Sequence, residues 1–326
     1  MNQKIKTRTQ RYTSNYLNSM RSIIVCFLII VLALAKGISQ NKKNNLINFA
    51  NLEDSIATIS NLLATDSVFN LNDLRNTQLE NLLEKFLKQP ESFNYALTKI
   101  TALSVLIPED KTFRIITWTF LRDSLHNEHR GYVQLNTAKS FYKKLIPATS
   151  YHAETLREVL TPENWMGALY YNLKSFKFNG EMRYLLFGVN FGDGVEKSKV
   201  CEVLKIKNKS ISFGSPVFVQ KSESNKIKNN RIVLNYSSDA EVRLNYDDAE
   251  NLIIYDHLTQ GASSTNQPIL IPDGTYEAYK LTKEGWEYIE QLPTTIMSEA
   301  PRPKPLDKSS RQIYTSQSKK KPAPKN

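Results

Sequence analysis

The chain has 326 residues, with 43 Lys and Arg against 32 Asp and Glu, a formal net charge of +11. The excess sits at the two ends: residues 1–39 hold six bases and no acid, residues 301–326 hold eight bases against Asp307, and the body between them is close to neutral. A nucleic-acid surface needs its bases clustered on the folded domain, so nucleic acid is excluded as a specific partner.

The leader comes first along the chain. Lys4, Lys6, Arg8, Arg11, Arg21 and Lys36 flank the apolar run "IIVCFLIIVLALA", Ile23 to Ala35. These 13 residues are too few to cross a bilayer as a helix. A basic leader, a short apolar core and the small-x-small triplet Gly37-Ile38-Ser39 make residues 1–39 a secretory signal with its cut after Ser39. Two alternatives stay open: retention of the segment as an anchor, and a start codon at Met20 in place of Met1. Cys26 lies inside the apolar core behind Val25, the wrong place for lipidation. The mature protein is expected in the periplasm, at the outer membrane or outside the cell. It keeps one cysteine, Cys201, so it forms no internal disulfide and burial must supply its stability.

Residues 40–95 read as a helical segment. In "NLEDSIATISNLL", Leu52, Ile56, Ile59, Leu62 and Leu63 recur at helical spacing. In "TQLENLLEKFLKQP", Leu79, Leu82, Leu83, Phe86 and Leu87 form one apolar stripe; Thr77 and Glu80 have capping-box spacing, and Pro90 stops the helix.

Residues 96–293 read as a β-rich domain, because the period drops from 3.6 to 2. "TFRIITWTFL", "GYVQL", "LYYNLKSFKF", "MRYLLFGVNF" and "KVCEVLKI" are rich in β-branched and aromatic residues and are parted by Gly, Asn and Asp. Alternation in "KVCEVLKI" puts Cys201 beside Val203 on one strand face, as a buried and inert thiol. One short helix, "AETLREVL", interrupts the strands before Pro162. The connections are too short for helical crossovers, so the pairing is expected to be mainly antiparallel. "RIVLNYSSDAEVRLNYDDAENLIIYDHL", residues 231–258, reads as a three-stranded meander with "SSDA" and "DDAEN" as its turns. In that reading Asp239, Asp247 and Asp248 are turn residues, whereas Asp256 and His257 lie near a strand end and are harder to assign to a turn. Residues 294–326, with five prolines and many Ser and Lys, read as a disordered basic tail able to contact anionic polymers or lipids.

Catalytic templates fail one after another. "HNEH", His126 to His129, has neither the i, i+4 spacing nor the helix of a zinc peptidase, and is expected in a solvated hairpin loop. A metal reading would join His126, Glu128, His129 and His257; His152 sits at the entry to the short helix. "GVNFGDGVEKS" has the look of a phosphate loop, but Glu196 precedes Lys197 and a strand follows, so Gly192, Asp193 and Gly194 read as a hairpin connection. No G-x-S-x-G elbow is present. A glycan-active reading would take its acids from Asp247, Asp248, Asp256 and Glu277 and its stacking surface from Trp118, Trp165 and Trp286.

The ordered segments "SFNYALTKI", "DKTFRIITW", "GYVQL", "TPENWMGALYYNL", "KVCEVLKI", "FGSPVF", "RIVLNY", "VRLNYDDAENLIIYDHL" and "PDGTYEAY" together resemble a group of uncharacterised exported proteins of Bacteroidota, over about residues 90–290. The leader ending in Ser39-Gln40 is similar to the signals of that group. The chain departs from the group after Gly188, where Val189 and Asn190 stand in place of Trp-Asp. The resemblance implies export and a shared β-rich body, and no catalytic residue.

The expected fold class is therefore α+β: N-terminal helices packed on a large, mainly antiparallel β body, either a sandwich or a propeller-like meander, followed by the tail. The expected function is a non-catalytic envelope or secreted module that binds a protein or a polymer, with no cofactor; the alternative is a glycan-binding or glycan-hydrolysing envelope protein. Asp247, Asp248, Asp256 and His257 are the candidate site residues.

Overall fold

The computed structural model describes residues 49–66, 68–148, 153–192, 194–221, 225–262 and 268–292. The signal and the basic tail lie outside these residues, as do His152 and Asp193. The chain forms two units, 1–52 and 53–326. Of the first, only residues 49–52 are described, and they are helical. The helix α1 runs over residues 49–65, and α2 over Asn72–Leu87. No helix among the described residues is long and apolar enough to cross a membrane.

The second unit is α+β with a β-rich body of three sheets. The first sheet is the antiparallel meander β1 (Ser104–Leu106), β2 (Phe113–Leu121), β3 (Asn127–Leu135) and β4 (Phe141–Leu145). The middle sheet has the order β11-β7-β6-β5, formed by β5 (Leu169–Phe178), β6 (Glu181–Asn190), β7 (Glu196–Lys207) and β11 (Arg231–Ser237), with β8 (Ser210–Phe213) also paired to β7. The third sheet has the order β10-β9-β15-β14-β13-β12. Its strands are β9 (Phe218–Lys221), β10 (Lys226–Asn229), β12 (Leu244–Asp247), β13 (Leu252–Ala262), β14 (Pro268–Thr282) and β15 (Gly285–Ile289). All named strand pairs are antiparallel except β15 with β9.

Alternation along the middle sheet explains how the sheets stack. On β6 and β7, Tyr184, Leu186, Val200 and Leu204 join Phe113, Ile115, Val133 and Leu135 of the first sheet in one core. Their neighbours Leu185, Phe187, Cys201 and Val203 join Leu244, Ile253, Tyr279 and Trp286 of the third sheet in a second core. A sheet covered on both faces needs apolar side chains at nearly every position, which is why "YLLFGV" and "VCEVL" lack the polar half of an ordinary alternation. Among the described residues the body is a sandwich with a third layer.

Helix α2 covers the outer face of the first sheet with Leu79, Leu83, Phe86 and Leu87, all buried. Trp118 Nε1 donates to Asn76 Oδ1 at 2.9 Å, and Asn72 Nδ2 donates to the Leu121 carbonyl at 2.7 Å. The guanidinium of Arg114, buried on this face, lies over the Phe86 ring at 5.0 Å and donates to the Ser92 carbonyl.

Several local expectations are corrected. Helix α2 begins five residues before Thr77, whose hydroxyl bonds back to the Asp73 carbonyl, so Thr77 and Glu80 form no capping box. Glu80 instead meets Lys144 at 2.7 Å and Arg130 at 3.7 Å on the first sheet. "AETLREVL" holds only a 3-10 turn, Ala153–Arg157. Residues 231–258 are no meander: β11 pairs with β7 in the middle sheet, while β12 and β13 pair in the third. Alternation marks strands but does not choose their partners, and the residues after β11 let the chain change layers. The Ser238 N–H and hydroxyl donate to the carbonyls of Val195 and Gly194 and hold that crossing in place. Gly192 belongs to the β6–β7 connection, as its φ of +58° requires; a Cβ there would lie 1.9 Å from the Glu196 carbonyl oxygen.

Candidate functional site

The expected site residues do not converge. Asp247 ends β12 and accepts the N–H groups of Ala249 and Glu250 at 2.8 and 2.9 Å, a turn role. Asp248 in the same turn pairs with Lys174 of β5. Asp256 is at the other end of β12: its Oδ2 accepts the Arg243 N–H at 2.7 Å while its own N–H donates to the Arg243 carbonyl at 3.1 Å. The carboxylate thereby ends the β12–β13 ladder. Burial pushes the Asp256 carboxyl above the usual carboxylate range, opposed by the Arg243 N–H and by the charges of Arg243 and Lys199. Glu277 Oε1 accepts the Tyr288 hydroxyl at 2.6 Å.

His257 turns away from Asp256. Its Nδ1 lies 2.7 Å from Asp273 Oδ2, while Asp273 Oδ1 accepts the Thr275 N–H at 2.9 Å and the Thr275 hydroxyl at 2.7 Å. These bonds, with the Thr275 N–H foremost, hold the Asp273 carboxyl down at about 2. The pair fastens a bend in the β13–β14 hairpin.

The histidines of "HNEH" part as well, and its placement is corrected. Asn127 opens β3, so only His126 is in the hairpin turn, where its Nδ1 meets both oxygens of Asp123 at 2.9 and 2.8 Å. Glu128 pairs with Arg130 and Arg122. His129 is buried, accepts the Phe191 N–H at Nε2 (3.3 Å) and stacks on the Phe191 ring. Burial pushes its imidazole down to about 4, so it is neutral at physiological pH. Among the described residues no three His, Cys, Asp or Glu side chains converge as a metal site.

The three tryptophans are corrected too: Trp118, Trp165 and Trp286 are only 1%, 0% and 2% exposed, so they build no surface on which a sugar could stack. Trp165 instead donates to the Tyr170 hydroxyl at 2.7 Å, and Tyr170 donates to Glu202 Oε1. Arg231 Nε meets Glu202 Oε2 at 3.2 Å, and its other nitrogens donate to the carbonyls of Thr155, Glu158 and Phe213. The pair has no solvent exposure, and its hydrogen-bonding groups point at backbone and aromatic partners in the core. This network secures the segment around residues 155–160 to the middle sheet, a structural task.

A lone cation is less well matched. Lys199, half-buried on β7, lies with its Nζ over the Tyr171 ring at 4.7 Å, and among the described residues that nitrogen makes no ion pair or hydrogen bond. Burial pushes its amine down to about 8, against the opposing pull of Glu241 and Asp256, and with Lys197 adding to the fall.

Exposed large apolar side chains recur near two hairpin tips and the start of α2. Leu71 and Leu74 at the start of α2, Leu121 and Leu125 at the β2–β3 hairpin, and Val195 at the β6–β7 hairpin are all exposed large apolar side chains, Val195 to 72%. The segments touch. Asn72 bonds to Leu121, the Asn127 N–H donates to the Gly192 carbonyl at 3.3 Å, and a Cβ on Gly194 would lie 3.6 Å from Leu125 Cδ2. The polar groups between them are satisfied locally: Arg122 by Glu128 and Asp73, His126 by Asp123. Leu121, Leu125 and Val195 thus form an apolar rim over the two hairpin tips, whereas Leu74 lies on the face of α2 opposite the buried Asn72 and Asn76. Exposed apolar side chains grouped on neighbouring hairpin tips are the kind of surface that marks an interaction site.

Comparison with protein-family models, with curated proteins and with solved structures gives no match.

Proposed function

We propose that the chain is an exported, non-catalytic module of the envelope or of the secreted fraction that holds a protein partner through the rim of Leu121, Leu125 and Val195. The rim is the observation that carries this reading. Removing such side chains from water is worth about 25 cal/mol per Å² of apolar surface, a driving force a protein partner can match with its own aliphatic groups. A polysaccharide matches it less well without an aromatic platform. Export is supported by the basic leader, the short apolar core and the resemblance to exported proteins of Bacteroidota. The local commitments of Asp247, Asp248, Asp256 and His257 support a non-catalytic role, since each carboxylate or imidazole is already bonded within the fold.

The test is a cross-linked pull-down of the tagged mature protein from native envelopes, beside a Leu125→Asp/Val195→Asp variant. A discrete partner retained by the wild type and lost from the variant, with melting unchanged, is the expected result. Identical captured sets from the two proteins, or none from either, overturn the reading. A third arm lacking residues 294–326 separates charge attraction by the basic tail from recognition by the body.

A further inference from the structure

The β13–β14 hairpin outgrows its sheet. β12 pairs with β13 only as far as Tyr255, and β15 pairs with β14 only from Ala278 onward. Beyond those points the two strands continue alone, from Leu258 opposite Pro272 to Ala262 opposite Pro268. The join is a bulge, because the ladder passes from Asp256–Tyr276 directly to Leu258–Pro272. Asp273, Gly274 and Thr275 thus oppose His257 alone. Gly274 has φ +87°, and Asp273 ties the bulge together through Thr275 and His257. A bulge bends and twists the strand that carries it, so the ribbon is set off from the line of the sheet.

Two properties of the ribbon are unusual together. Among the described residues, no strand hydrogen-bonds to either of its outer edges. It also carries no charge: "LTQGASSTNQPILIP", residues 258–272, has no Asp, Glu, Lys or Arg. Edge strands are normally guarded by charge, and this molecule does so elsewhere, with Lys226 and Lys228 on β10, Lys143 and Lys144 on β4, and Lys174 and Lys177 on β5. Pairing two copies of those edges sets lysine against lysine. Two copies of residues 258–261 do not, in any register, and Thr259 and Gln260 there are exposed. A two-stranded ribbon is marginal in water by itself and gains stability from further strands.

We propose that the β13 edge of the ribbon, residues 258–261, pairs antiparallel with the same edge of a second copy of this chain across a two-fold axis. Identical edges that pair antiparallel are related by such an axis, so the contact closes at a dimer and does not propagate. The product is a four-stranded ribbon continuous through both copies. The rim proposed to hold the partner lies on other elements, so each dimer would present two rims.

The experiment measures the mass of the purified full-length mature protein by light scattering and sedimentation over a range of concentrations, beside a Thr259→Lys/Gln260→Lys variant. The wild type is expected to be a dimer and the variant to dissociate at least about tenfold more readily, since like charges then face one another across the axis. Melting curves report whether the variant is folded. A second measurement does not depend on the lysines: Gln260→Cys is expected to form a disulfide-linked dimer on mild oxidation, whereas Lys226→Cys on the β10 edge is not. A monomeric wild type at all concentrations, a dimer unmoved by the lysines, or equal cross-linking at 260 and 226 overturns the proposal.

Discussion

Replacing Lys199 by Met is expected to stabilise the protein at neutral pH, against the ordinary outcome of a substitution in a half-buried strand. The Lys199 ammonium lies over the Tyr171 ring, and methionine keeps most of the aliphatic stem while removing the charge. Burial lowers the amine from 10.5 to about 8, and at about 1.4 kcal/mol per tenfold change in proton affinity the charged form is penalised by about 3 kcal/mol. The ammonium's attraction to the ring returns about 1 kcal/mol, leaving a net gain of about 2 kcal/mol for Lys199→Met at pH 7. The pH dependence fixes the sign. Between pH 8 and 10.5 the unfolded chain binds the proton and the folded chain does not, so wild-type stability rises with pH through that window. Below pH 8 both states are protonated and the full burial cost applies. The advantage of the variant should therefore be constant below pH 8 and shrink as pH rises toward 10.5. Urea denaturation of both proteins at pH 7, 8, 9 and 10 measures this, and the difference between them cancels the tyrosines that titrate nearby. A variant less stable at pH 7, or a difference that does not change with pH, would refute the argument that the amine is poorly matched where it sits.

Two further outcomes follow from buried polar groups. Arg231→Met should cost about 3–5 kcal/mol in urea denaturation, because it strands the Glu202 carboxylate in a site without solvent; adding Glu202→Gln should recover part of that loss. His129, held near 4 by burial, should make the wild type lose stability as pH falls from 6.5 toward 4, where the unfolded chain takes up the proton first. That loss approaches about 3 kcal/mol at the acid end of the window, and a His129→Gln variant melted across the same range should lack it.

How far the sequence reveals this molecule depends on how local each signal is. Strands were legible because alternation is written within one segment, and the position of Cys201 beside Val203, both buried, follows from that pattern alone. Helix α2 was legible from its stripe, but its start was not, since Thr77 and Glu80 have capping spacing while the tertiary contacts of Asn72 and Asn76 draw the helix further back. The partner of β11 was not legible at all. Its alternation suits either neighbouring sheet, and the choice rests on contacts with β7, about thirty residues earlier in the chain.

The candidate acids and the exposed surfaces differ in the same way. Asp247, Asp256 and His257 set acids and an imidazole close together in sequence, yet a strand places neighbours on opposite faces, and each is taken up by the nearest backbone or turn. The rim was hidden for the converse reason. Leu125 and Val195 come from two hairpins about seventy residues apart, and each alone is an unremarkable exposed aliphatic residue. Only the meeting of the two hairpin tips makes them one surface. The ribbon lies between these cases. Its lack of charge can be read directly from residues 258–272, but its open edges depend on where β12 and β15 stop. A composition without charge becomes an interaction surface only once the fold has left it unpaired.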